Sequence, residues 1–255
     1  MKGDKSILYQ EVNYGDRPAM VRQLLEAGIA VASANYRLLA PDDTIGVINA
    51  LMDGKRCVQT IRLWADSLGI QPDKVGIWGS SAGAGIALWL GFHSDMAVPT
   101  AAEAWEREST RLHTLALNEP QASLNIYRWE DEVFHDYWPY RVKTIMWFAK
   151  KQLLPFYGLA DKKALNSPNC TAYRDSIDAL HLLSPDDPEF FLRNVHHHSS
   201  FPLNLMQFLH HPYHGRALKR EAVYKGVPCV AWYGETTPQP EEHLIPFLIR
   251  KLVEE

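Results

Sequence analysis

Apolar positions along the chain switch repeatedly between two spacings. In "GDRPAMVRQLLEAG" they fall at 20, 21, 24 and 25, which gathers them on one helix face, with Asp16 placed to cap the start, Pro18 in the first turn and Gly28 as the stop. The next run, "IAVASANYR" (29–37), is small and β-branched and predicts a strand over 29–35. "VINALMDGKRCVQTIRLWADSLG" returns to helical spacing and closes on Gly69. A strand over 74–78, a tight turn and a helix to about His93 follow, then a strand in "LHTLALN" (112–118). Residues 121–187 are rich in Trp and Tyr with short helical patterns. The last third reads strand (189–195), helix ("HGRALKREAVYKG"), strand (227–234) and terminal helix ("EEHLIPFLIRKLVEE"). Strands alternating with helices predict an α/β protein, a parallel sheet with helices on both faces. The chain reads as one domain over 1–255, with 121–187 inserted as a helical cap.

Within this pattern "VGIWGSSAGAGIALW" (75–89) places Gly79-x-Ser81-x-Gly83 between a strand and a helix. That spacing suits a strained strand-to-helix turn with a serine hydroxyl at its tip, the two glycines letting strand and helix approach closely. Ser81 is expected in a sparsely populated backbone conformation, as a candidate nucleophile.

Composition narrows the classes. The 255 residues include 46% hydrophobic and 22% charged, which is globular, and the net charge of −4 with no dense Lys/Arg patch excludes a polyanion footprint. No run approaches the length of a membrane span. Three widely spaced cysteines, Cys57, Cys170 and Cys229, argue against a disulfide framework, and "MKGDKSILYQ" has no apolar h-region of a signal peptide, so the cytoplasm is the expected compartment.

The blocks "GIAVASANYRLLAPDD", "LGIQPDKVGIWGSSAGAGIALW", "SPDDPEFFL" and "LKREAVYKGVPCV" together resemble the α/β-hydrolase superfamily, in its esterase/lipase branch of hormone-sensitive-lipase-like carboxylesterases. The resemblance implies hydrolysis of small-molecule carboxylic esters without a cofactor, through a Ser/Asp/His triad in chain order. It implies Ser81 as nucleophile, the Ala82 amide as one oxyanion donor and, after the last strand, His243 as base. It also implies an H-G-G-G loop for a second donor, and "MKGDKS" looks like the tail of that loop, so the chain is expected to lack the family's first strands. One of these separates strand 29–35 from strand 74–78, and a gap is expected there in place of direct pairing. The family's acid follows the strand 189–195, yet from His196 to Arg220 there is no Asp or Glu. Glu119 is the nearby substitute, with a solvated loop carboxylate as the competing reading.

His196, His197, His198, His210, His211 and His214 concentrate six of the 11 histidines. No carboxylate or cysteine accompanies them and a proline interrupts "HHPYH", so they read as a polar rim of the cleft above Ser81 and no metal is assigned. Two functions stay open ahead of a third, a histidine-rich metal-binding protein. One is a serine esterase acting through an acyl-enzyme. The other is a catalytically degenerate hydrolase-like protein with a binding role, which the missing acid and oxyanion glycines favour. With one oxyanion donor lost, the acid position emptied and the base ambiguous, the chain is expected to be a poor esterase on a hydrolase fold.

Overall fold

Four short apolar runs become one sheet in the computed structural model of the chain, which describes residues 17–137, 144, 147, 149, 152–195, 202–234 and 242–255. The strands are β1 (Gly76–Ser80), β2 (Thr114–Asn118), β3 (Phe190–Asn194) and β4 (Cys229–Tyr233), ordered as in sequence and all parallel. Parallel neighbours need crossovers, and the crossovers here are helical. The helices used below are α1 (Arg17–Glu26), α2 (Ile48–Leu63), α3 (Ala82–Phe92), α4 (Pro168–Ser176), α5 (Leu205–Leu209), α6 (Pro212–Lys225) and α7 (Leu244–Ile249).

Strand alternation sends Leu115, Leu117, Phe190 and Leu192 into the larger core, with Ala84, Leu88 and Phe92 of α3, Leu51 and Val58 of α2 and Leu218 of α6. Ala116 and Phe191 point the other way, against Leu24 of α1 and Leu244, Phe247 and Leu248 of α7. Between β2 and β3 lie short helices, α4 among them. Part of this segment rests on α6, where Arg216 meets Asp136 and the Val133 carbonyl, and Arg220 donates to the Glu132 carbonyl.

Several local expectations are met. Gly69 and Gly226 close their helices in the left-handed conformation; the strand predicted over 74–78 forms two residues later, and the other three sheet strands form two or three residues shorter than predicted. The helix expected up to Gly69 is interrupted: α2 ends at Leu63, and a separate turn, Ala65–Leu68, follows Trp64. The strand expected over 29–35 does not form. That run carries no ladder, is mostly exposed and makes no backbone bond to β1. An extended run becomes a strand only when a neighbour takes its N–H and C=O groups, and among the described residues none does so here. Among the described residues no ladder bond joins Ala32 and Ile77, so the direct pairing that would have ruled out the expected gap is not seen. Asp16 and the "MKGDKS" start lie outside the described residues. No described helix is long and apolar enough to cross a membrane.

Candidate active site

The elbow follows from sterics at Gly79. A Cβ there would sit 2.3 Å from the Gly83 carbonyl oxygen, so only glycine lets the end of β1 lie this close to the first turn of α3. The chain reverses at Ser81, which adopts φ 52° and ψ −115°, a region costly for any residue with a Cβ, by about 1–3 kcal/mol. Two backbone bonds hold this conformation: the Ser81 N–H donates to the Asn118 carbonyl (2.9 Å), and the Ser81 carbonyl accepts from Gly85 N–H (3.0 Å). Ala82 is exposed and opens α3, so its N–H is one of those a helix start leaves without an intrahelical acceptor.

The Ser81 Oγ lies 2.8 Å from Nε2 of His210. His210 caps the C-terminus of α5, a helix of five residues whose start is capped by the Asn204 side chain. Two buried side chains fasten this turn to the exit of β2. Gln121 donates from Nε2 to the carbonyls of Leu209 (2.8 Å) and Glu119 (3.3 Å). His214 accepts the Ala122 N–H on Nδ1 (3.2 Å), which puts its own proton on Nε2, and that nitrogen meets the Phe208 carbonyl at 2.9 Å. Of the two carbonyls immediately before His210, that of Leu209 is thus held by Gln121 and that of Phe208 by His214, which is itself bonded to Ala122.

Glu119 is not a solvated loop carboxylate. It is 3% exposed, takes φ 52°, donates its N–H to the Arg193 carbonyl (2.6 Å) and accepts the Val195 N–H on its carboxylate (2.9 Å). It thereby joins the ends of β2 and β3 beside the Asn118 carbonyl that holds Ser81. A positive φ at a glutamate leaves no mark in the sequence, so only the structure exposes this role.

His243 stands elsewhere. It is the exposed N-cap of α7, its ring 6.2 Å from that of Trp232, and it lines a hollow with Ser80, Asn118 and Arg193. The imidazole brought to Ser81 is that of His210, which the sequence placed only in a polar rim. His211 is buried and caps α6 through the Tyr213 N–H. His196, His197 and His198 lie outside the described residues. Among the described residues no group of three or more His, Cys, Asp or Glu is arranged to hold a metal ion.

Burial pushes the His214 imidazole down to about 3 from its ordinary 6.5. The unfolded chain therefore takes a proton there that the folded chain refuses. The sign follows: this contribution is whole above about pH 6.5 and drains as pH falls toward 3, by up to about 1.4 kcal/mol per pH unit. Urea unfolding across that range is expected to show a steeper loss for the native chain than for His214→Phe, by one proton. Equal slopes would contradict it.

The BD-FAE family model matches residues 8–121. No curated protein sequence matches the chain. Among solved structures, an acetyl ester-xyloside bifunctional hydrolase from Caldicellulosiruptor lactoaceticus superposes with a TM-score of 0.58 at 22% identity, over 84% of this chain and 63% of that one. A truncated carbohydrate esterase from gut microbiota gives 0.56 at 15% identity, over 82% and 66%. A putative carboxylesterase from Lactobacillus plantarum WCFS1 gives 0.55 at 13% identity, over 94% and 78%. The chain thus spans a little under two thirds of the length of the first two. A parallel sheet flanked by helices, a serine at a strained strand-to-helix turn and these superpositions lead to one assignment: the chain is an α/β-hydrolase-fold protein, and the solved proteins it resembles are esterases.

Proposed function

We propose that the chain is a serine hydrolase of carboxylic esters that works through an acyl-enzyme on Ser81. The observation that carries this is the 2.8 Å contact between Ser81 Oγ and His210 Nε2 at a positive-φ elbow. His210 takes the hydroxyl proton on Nε2 while Oγ attacks the ester carbonyl carbon. The Ala82 N–H, at the positive end of α3, donates to the oxyanion that forms. Nε2 then returns its proton to the leaving alkoxide, the C–O bond breaks and the acyl group stays on Oγ. Water attacks the acyl carbon by the same route in reverse, its proton passing through Nε2 to Oγ. The base in this reading is His210; His243, which the family pattern favoured for that role, has none here.

Residues 121–187 act as the cap over this site. The support is their packing onto the turn that carries His210: the Trp129 ring meets that of His214 at 4.7 Å, and Phe134 meets Phe208 at 5.4 Å. The substrate class proposed is a small or medium carboxylic ester.

Release of 4-nitrophenol from 4-nitrophenyl acetate tests the reading. Turnover by the native chain that vanishes in Ser81→Ala supports it; equal turnover in both favours the alternative, a hydrolase-like protein with a binding role. Gln121 supplies a subtler check, because its amide positions the base without touching substrate. Gln121→Leu is expected to lower kcat by about tenfold or more with KM within about twofold. An unchanged kcat would show that the turn is held without it.

A further inference from the structure

On the face of the sheet covered by α1 and α7, one cross-strand row runs Ser80, Asn118, Arg193, Trp232, each residue paired in register with the next. Residues so paired in a parallel sheet project from the same face, and this row forms the floor of a hollow of about 340 Å³. Trp78 and Phe191, from the row below, make its apolar wall, and Met20, His243 and Leu244 also border it. Its volume is at the small end of ligand pockets, roughly 300–1,000 Å³. Neither Ser81 nor His210 lines it.

The hydrogen bonds along the row run one way. Arg193 donates from Nη1 to the Asn118 Oδ1 (3.2 Å), and Asn118 donates from Nδ2 to the Ser80 Oγ (3.0 Å). Both side-chain acceptors of the row are engaged, whereas the Ser80 hydroxyl proton and the remaining guanidinium N–H groups are left to donate. The guanidinium lies 5.1 Å over the Trp232 ring, and no carboxylate pairs with Arg193 among the described residues. A half-buried cation stacked on an indole, facing a hollow that offers donors, lacks one complement, an anion. The planar guanidinium fork suits a carboxylate, and the aromatic wall suits an apolar body attached to it.

We propose that this hollow is a binding site for a small carboxylate with an aromatic or aliphatic body, separate from Ser81 and independent of its chemistry. Benzoate is the probe, followed by calorimetry and by tryptophan fluorescence, with benzyl alcohol as the uncharged match and inorganic phosphate as the anion without an apolar body. Expected is saturable one-to-one binding of benzoate at about 1 mM or tighter, with benzyl alcohol and phosphate each weaker by roughly tenfold or more. Arg193→Met should lose about tenfold or more, whereas Ser81→Ala should bind as the native chain does. If Arg193→Met does not fold by circular dichroism, Arg193→Lys and Trp232→Leu replace it, each expected to weaken benzoate more than benzyl alcohol. No saturable binding, equal binding of benzyl alcohol, or unaltered affinity in the folded Arg193 variant would overturn the proposal. Loss of benzoate binding in Ser81→Ala would overturn it too, by placing benzoate in the catalytic cleft.

Discussion

Replacing His210 by Gln is expected to lower kcat for 4-nitrophenyl acetate by about 10³–10⁴-fold, while His243→Gln leaves it within about twofold. The contrast follows from position. Nε2 of His210 is within hydrogen-bond reach of the Ser81 hydroxyl, so without it the hydroxyl keeps its proton and is a poor nucleophile. His243 borders a hollow that Ser81 does not line, so its loss removes no proton acceptor from the reaction. Parallel measurement of kcat and KM in the two variants decides the matter. A large fall in His243→Gln with His210→Gln near native would transfer the role to the residue that the family pattern favoured.

Gly79→Ala is expected to cost both stability and activity. The added methyl meets the carbonyl oxygen of Gly83 at 2.3 Å and its carbon at 2.4 Å, and these are backbone atoms of the first turn of α3, which cannot swing aside as a side chain does. Strand and helix must separate at the elbow, an overpacking cost of about 1–3 kcal/mol or more, which at about 2–4 °C per kcal/mol lowers Tm by several degrees. The same movement displaces Ser81 from His210, and a misplacement near 1 Å is worth about 100-fold in rate. Gly85→Ala is the control. Its Cβ would meet only Leu124 Cδ2 at 3.4 Å, an ordinary contact inside a helix, so native or higher Tm is expected. A Gly79→Ala protein as stable and active as the control would contradict the account of the elbow.

The elbow was legible because its causes are local. Gly79, Ser81 and Gly83 fall within five residues, and the left-handed helix ends at Gly69 and Gly226 are equally short-range. The imidazole partner of Ser81 was not legible. His210 is 129 positions from Ser81, and what aims it is a pair of side chains, Gln121 and His214, reaching between the exit of β2 and the turn after α5. Neither residue type marks such a role at a distance. The histidine cluster did signal the right end of the sheet, since strand C-termini share one edge, but not which imidazole would turn inward. The run 29–35 shows the opposite limit: a β-rich composition predicts a strand, yet strand formation is decided by a neighbour that composition does not contain.

The pessimism that the sequence invites about catalysis is answered in part. An imidazole does reach Ser81, and the Ala82 N–H, the oxyanion donor of the proposed mechanism, stands at a helix start. Glu119, the one carboxylate near the site that the sequence offered, accepts the Val195 N–H on one carboxylate oxygen and sits at a positive-φ junction beside Ser81.

The central claim, that Ser81 is a nucleophile activated by His210, is tested most directly by covalent capture. The native chain, His210→Gln and Ser81→Ala are incubated with an alkyl fluorophosphonate and followed by intact mass and peptide mapping. The account predicts one adduct, on the Ser81 peptide, formed rapidly in the native chain, about 10³-fold more slowly in His210→Gln and not at all in Ser81→Ala. Equal labelling rates in the native chain and His210→Gln, or an adduct that persists in Ser81→Ala, would contradict it.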